Sequence, residues 1–210
     1  MDAGARLGWL VALAALVAGC HAPRPSAGAA PAGPKARVSP NAVVEGALAQ
    51  LDWGTRYDAR YTDIAYPNGD VPKTQGVCTD VVVRAMRHAG YDLQQLVHED
   101  KRRDPRAYPR YPGPKIDSNI DHRRCPNLAA FFTRHGVALP VDGDWLPGDV
   151  VFWKLDSGRD HVGVVSDRRG PSGEWMVVHN IATVEEADCL HQWKVVGHFR
   201  YPRPSRDRQG

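Results

Sequence analysis

The chain has little of what would settle its class outright. The apolar run at residues 7–17 falls well short of the roughly 20 residues a membrane helix needs. There is no excess of one charge, since 27 Lys and Arg against 24 Asp and Glu leave a formal net charge of +3. The basic residues are scattered, and Arg102, Arg103, Arg106 and Arg110, set among Pro and Tyr, read as a solvated loop. A nucleic-acid partner is therefore not expected, whereas a mildly basic surface suits a polymer bearing carboxylates. No internal repeat suggests a solenoid. Cysteine is scarce, at 4 residues, and no Cys or His spacing resembles a zinc site. His98, Glu99 and Asp100 are adjacent, so on a helix they point different ways. Neither a metal nor a cofactor is expected.

What is present begins at the N-terminus. Arg6, then the apolar run, then Leu16-Val17-Ala18-Gly19-Cys20 have the order of an export signal ending in small residues before a cysteine. The segment resembles a bacterial lipoprotein signal, which implies residues 1–20 as signal and Cys20 as the lipidated first residue of the mature chain. An ordinary signal peptide and a short anchor are the alternatives. Residues 21–40 are rich in Ala, Pro and Gly and almost devoid of large apolar residues, so they read as a tether with a reach of about 25 Å. Residues 41–201 have the size of one domain, expected to be a monomer, and 202–210 form a polar tail. These readings place the protein in the envelope, facing the periplasm or cell surface and joined to the membrane through lipid.

With Cys20 set aside, Cys78, Cys125 and Cys189 remain, an odd number in an oxidising compartment. Either Cys125 and Cys189 pair and leave Cys78 free, or all are buried thiols; sequence does not supply the Cα separation that would decide.

Pro40 opens a helix after Ser39, with Val43, Val44, Ala47, Leu48 and Leu51 at helical spacing. A second helix is expected from Cys78 to Ala89, closed by Gly90, although Val81-Val82-Val83 favours strand locally. Asp92 caps a third helix to about Asp100, and a fourth spans about 126–135. Between them, 104–115 reads as a long loop able to wall a cleft. Short apolar runs follow at 150–155, 161–166, 175–181 and 195–201, separated by turn residues. Helices followed by strands predict an α+β fold with helices packed on an antiparallel sheet.

The chemistry centres on Cys78 in Gln75-Gly76-Val77-Cys78-Thr79-Asp80. A helix N-terminus and a nearby imidazolium both lower a thiol pKa, and the backbone N–H groups of Val77 and Cys78 are candidate oxyanion donors. A buried structural thiol is the plainer alternative. His161 opens one strand and His179 ends the next, so a hairpin brings them together and lets His179 orient His161. Asn180 faces the other way and is the weaker third member. Gly163 leaves room for another backbone or a ligand to approach closely. In Asp121-His122-Arg123-Arg124, the arginines suit bidentate recognition of carboxylates with Asp121 orienting His122. A structural ion-pair cluster is an equal reading.

Pro147-Gly148-Asp149-Val150-Val151-Phe152-Trp153, His161-Val162-Gly163-Val164-Val165 and Val178-His179 resemble the NlpC/P60 cell-wall peptidase superfamily. Longer phrases resemble one branch of it, DUF1287: Tyr66-Pro67-Asn68-Gly69-Asp70-Val71-Pro72, Asn119-Ile120-Asp121-His122-Arg123-Arg124 and Val196-Gly197-His198-Phe199-Arg200-Tyr201. The resemblance implies a papain-like core with Cys78, His161 and His179 as catalytic triad. It implies cleavage of amide bonds in peptidoglycan stem peptides, between γ-D-Glu and a diamino acid. Thr79-Asp80 replaces the usual Ser-Gly after the cysteine, which brings Asp80 into the expected substrate pocket. Cys125 and Cys189 stand where the resemblance implies apolar residues, which favours their pairing. An inactive wall-binding lipoprotein, and a hydrolase or acyltransferase for another amide or ester, are the rival functions.

Overall fold

The computed structural model describes residues 40–112 and 116–203. The signal, Cys20 and most of the tether and tail lie outside these residues. Four helices, α1 (Pro40–Leu48), α2 (Cys78–His88), α3 (Leu93–Arg103) and α4 (Cys125–His135), accompany a small parallel pair, β1 (Arg56–Tyr57) with β2 (Gln75–Gly76). The remaining strands are β3 (Val137–Ala138), β4 (Val150–Lys154), β5 (Asp160–Arg169), β6 (Trp175–Asn180), β7 (Val184–Ala187) and β8 (Lys194–Arg200). They form an antiparallel sheet in the order β3-β8-β4-β5-β6-β7. The fold is α+β, as the sequence predicts. Among the described residues no helix is long and apolar enough to cross a membrane.

Strand alternation divides the core. Val150, Phe152, Val162, Val164, Val178 and Phe199 point to the helices and pack with Val81, Val82, Met86, Leu128 and Phe132. Val151, Trp153, Val165 and Val177 point the other way and pack with Trp145, Cys189 and Leu190. Burial also decides α2. Its valine run is strand-like locally, but every residue from Cys78 to Met86 is buried, and tertiary packing overrides the propensity.

Several quoted phrases knit the frame. The buried Asp149 carboxylate accepts His198 Nε2 at 2.8 Å and Arg200 Nε at 2.7 Å, tying the entry of β4 to β8. Arg84 Nε donates to Asp70 Oδ2 at 2.9 Å, and its Nη2 reaches the carbonyls of Val71, Pro72 and Gln75. That binds the loop before Cys78 to α2. Asn119 joins the loop at 61–64 by accepting from Ile64 N–H and donating to Tyr61 and Asp63.

Candidate active site

Cys78 is the first residue of α2, which Val77 caps in an extended conformation. Asp80, in the same first turn, accepts the Val77 N–H at 2.7 Å and takes Arg123 on both oxygens, each at 2.9 Å. Arg123 and Asp80 are both nearly sealed from solvent, so this fork fixes the start of α2 against the single-turn helix Asp121–Arg123. A Cβ on Gly76 would come within 3.2 Å of Asp80 Oδ2 and 3.3 Å of Arg84 Nη1, so glycine there allows the close entry.

His161 and His179 lie on the sheet face opposite the helices. His161 Nε2 meets His179 Nδ1 at 3.1 Å, and Trp153 stacks on His161 with ring centroids 5.5 Å apart. The register of β5 with β6 begins at Gly163–His179, so the first residues of β5 have no strand on that side. There Cys78 comes from the helix layer toward His161 and the Val162 N–H, near enough for both to lower the pKa of its thiol. Since Nε2 is directed at His179, Nδ1 is the ring nitrogen left for the thiol. This assigns the Nε2–H tautomer to neutral His161, with His179 Nδ1 accepting. Burial and then the charge of His161 push the His179 pKa down to about 4, so it stays neutral. Asn180 Nδ2 instead donates to the Gly76 carbonyl at 3.2 Å, from the face opposite His179.

The nearest partner of Cys78 is one the sequence did not offer. Cys125 Sγ lies 3.5 Å from Cys78 Sγ, and Cys125 is itself the first residue of α4. The Cys125 S–H bond lowers the Cys78 pKa most, followed by His161 and the Val162 N–H, and together they outweigh burial. Sharing the proton pushes Cys125 upward. The expected Cys125–Cys189 bridge is therefore corrected. All three thiols are free, and Cys189 packs on the other face of the sheet.

Cys78 and Cys125 lie at the floor of a cleft of about 520 Å³ that Tyr57, Tyr111, Arg123, Arg124 and Arg159 also line. Arg124 lies over the Tyr111 ring at 4.2 Å, so the 104–115 loop does contribute a wall. The Asp121-His122-Arg123-Arg124 run divides between roles. Asp121 takes Lys101 at 2.6 Å and does not orient His122, whose Nδ1 has no partner among the described residues. Burial pushes His122 down to about 4, and at 2% exposure it lies outside the cleft lining. Arg123 borders the cleft but gives its fork to Asp80, which leaves Arg124 as the member of the run able to turn toward a ligand. One further expectation is corrected. The Val77 N–H is taken by Asp80, so the Cys78 N–H is the backbone donor that remains for an oxyanion. The close approach expected at Gly163 is made by the neighbouring strand, since a Cβ there would come within 3.0 Å of the Val178 carbonyl and 2.6 Å of Val177, so the space is not left for a ligand.

Tyr57 and Arg159 escaped the sequence reading. Tyr57 arrives through the two-residue pairing of β1 with β2, which leaves no periodic signal. Burial, then the charges of Cys78 and Cys125, push its phenol pKa up, so the hydroxyl remains a donor. Arg159 sits in the β4–β5 turn beside His161, where Ser157-Gly158 marks the turn but not its role. Among the described residues no group of three or more His, Cys, Asp or Glu could hold a metal ion.

Compared with known proteins, residues 44–201 match the family described as Domain of unknown function (DUF1287). The chain is 46% identical over 165 residues to the Uncharacterized protein YijF of Escherichia coli (strain K12), covering 76% of this chain and 80% of that protein. No solved structure matches.

Proposed function

The chain belongs to the DUF1287 family, and from its site we propose a cysteine hydrolase of NlpC/P60, papain-like type acting on amide bonds of peptidoglycan stem peptides. The observation that carries this is Cys78 at the start of α2 with its thiol pKa lowered by neighbours that include His161, which itself meets His179 at 3.1 Å. The thiolate of Cys78 attacks the carbonyl carbon. The Cys78 N–H and the Tyr57 hydroxyl stabilise the oxyanion. Protonated His161 then gives its proton to the leaving amine, and a thioester forms. His161 next takes a proton from water, which attacks the thioester and frees Cys78. His179 acts on orientation, accepting the Nε2–H so that Nδ1 faces the sulfur.

Location and substrate belong to the same proposal. The lipoprotein reading of residues 1–20, with Cys20 lipidated, puts the domain beside the wall, and Arg124 and Arg159 suit the carboxylates that stem peptides carry. The test is mass spectrometry of purified murein sacculi incubated with the protein or with Cys78→Ala. New stem-peptide fragments from the wild type alone are expected, and their masses name the bond. The same arginine-rimmed cleft would serve a wall-binding protein without activity. No fragments, together with a Cys78 inert to iodoacetamide near neutral pH, would establish that reading instead. A reactive Cys78 without murein cleavage would move the substrate to another amide or ester.

A further inference from the structure

We propose that Cys78 and Cys125 are a redox pair, in which Cys125 resolves an oxidised Cys78 by closing a reversible disulfide across the floor of the cleft. The inference rests on the reading of Cys78 as a reactive thiolate, but not on any particular substrate.

Three observations converge on it. The sulfurs are 3.5 Å apart, so about 1.5 Å of closure brings them to the usual S–S bond length of about 2.05 Å. Each cysteine opens an 11-residue helix, so two helix N-termini, with their unsatisfied N–H groups, are directed at one pair of thiols. The starts of those helices are also mechanically joined. Asp80 of α2 holds Arg123, and Arg123 immediately precedes Arg124, the N-cap of α4. The fork therefore helps to hold the two sulfurs near each other. Cys189 shares none of this, being packed with Trp145, Trp153 and Leu190 on the other face.

The oxidant is a hydroperoxide, taken here as hydrogen peroxide. The Cys78 thiolate attacks one peroxide oxygen, forming an S–O bond as the O–O bond breaks and hydroxide leaves. Cys78 is then a sulfenic acid. Cys125 loses its proton and attacks the Cys78 sulfur, the S–S bond forms, and the S–O bond breaks to release a second hydroxide. Protonation of both hydroxides gives two waters, so peroxide is reduced and two thiols are oxidised. A small dithiol reverses the step by exchange. Without Cys125, the sulfenic acid is open to a second peroxide and irreversible conversion to sulfinic acid. The pair thus makes oxidation a reversible closure of the site in place of permanent damage.

The test exposes the full chain to a small excess of hydrogen peroxide, then maps its peptides by mass spectrometry. The expected product is a Cys78–Cys125 linked peptide, lighter by two hydrogens, with iodoacetamide labelling of Cys78 lost and then restored by dithiothreitol. Cys125→Ser should instead yield a dimedone adduct at Cys78 and, at longer times, a sulfinic acid that dithiothreitol does not reverse. Sulfinic acid at Cys78 in the wild type, with no linked peptide, overturns the proposal whether or not the variant folds. Equal products from wild type and variant do the same. The sacculus assay under reducing conditions is independent, so loss of the redox pair and loss of the hydrolase reading are told apart.

Discussion

Cys78 and Cys189 differ little in exposure, at 5% and 2%, and belong to the two cores on opposite faces of one sheet. Their chemistry runs in opposite directions. Burial, followed by the charges of Glu185 and Asp188, pushes Cys189 up to about 12. Burial acts on Cys78 as well, yet Cys125, His161 with its charge, and the Val162 N–H reverse its sign. A buried cysteine is therefore not evidence of inertness, and the deciding quantity is the number of hydrogen-bond donors aimed at the sulfur. Around Cys189 the neighbours are indole and aliphatic groups; around Cys78 they are a thiol, an imidazole, an amide and a helix terminus.

The most severe way to break this comparison is to remove the sulfur that has donors. Cys78→Ala is expected to lower stem-peptide release by about 10⁴-fold or more, with the fold retained by circular dichroism. Next comes removal of a donor. His161→Ala should slow iodoacetamide labelling of Cys78 at pH 6 by about tenfold or more, because the thiolate loses both a hydrogen bond and a positive neighbour. Labelling of Cys189 should stay slow in both proteins. Equal labelling of Cys78 and Cys189 in the wild type would dissolve the contrast.

A subtler effect concerns the histidines that burial keeps neutral. His179 and His122 are both held at about 4 in the fold, against an ordinary value of 6.5. Their protonated forms are disfavoured only in the folded chain. As pH falls below 6.5 the unfolded chain takes up protons first, so stability is lost between pH 6.5 and about 4 and the loss then levels off. Each group should cost about 2 kcal/mol between pH 7 and pH 5. Urea midpoints across that range measure the loss, and His122→Gln should remove its share while leaving Cys78 labelling unchanged. An unchanged slope in that variant would mean that His122 is not held neutral.

How much of this was legible depended on sequence distance. The starts of α3 and α4 were marked by Asp92 and Pro126, because capping is written within a turn of its residue, whereas α2 follows Val77, which carries no cap signal. The hairpin that joins His161 to His179 was legible from its Gly-Pro-Ser-Gly turn. β7 was not, since Val184-Glu185-Glu186-Ala187 lacks alternation and pairs at the sheet edge only because β6 offers it a partner. The approach of Cys125 to Cys78 spans 47 positions and that of Arg123 to Asp80 spans 43. Neither leaves a local trace, since both follow from how the single-turn helix Asp121–Arg123 packs against α2 and α4 alike. The parity of the cysteines pointed to Cys189 for the same reason, because counting thiols says nothing about which face of the sheet each occupies.

The smallest expected effect sharpens the comparison without touching activity. At Cys189, Ala deletes a sulfur packed among apolar groups, and about 1 kcal/mol of stability should be lost to the space left behind. Ser keeps the size but buries a hydroxyl where no donor or acceptor was aimed at the sulfur, so it should be worse than Ala by about 1 kcal/mol. At Cys78 the order should invert. A serine hydroxyl there finds His161 and the Val162 N–H already in place, so Cys78→Ser should match or exceed Cys78→Ala in stability. Four urea denaturation curves decide it. If Ser and Ala rank the same way at both positions, the polarity of the surroundings does not distinguish the two thiols. The inverted ranking would trace their opposite reactivity to the donors alone, since burial is common to both.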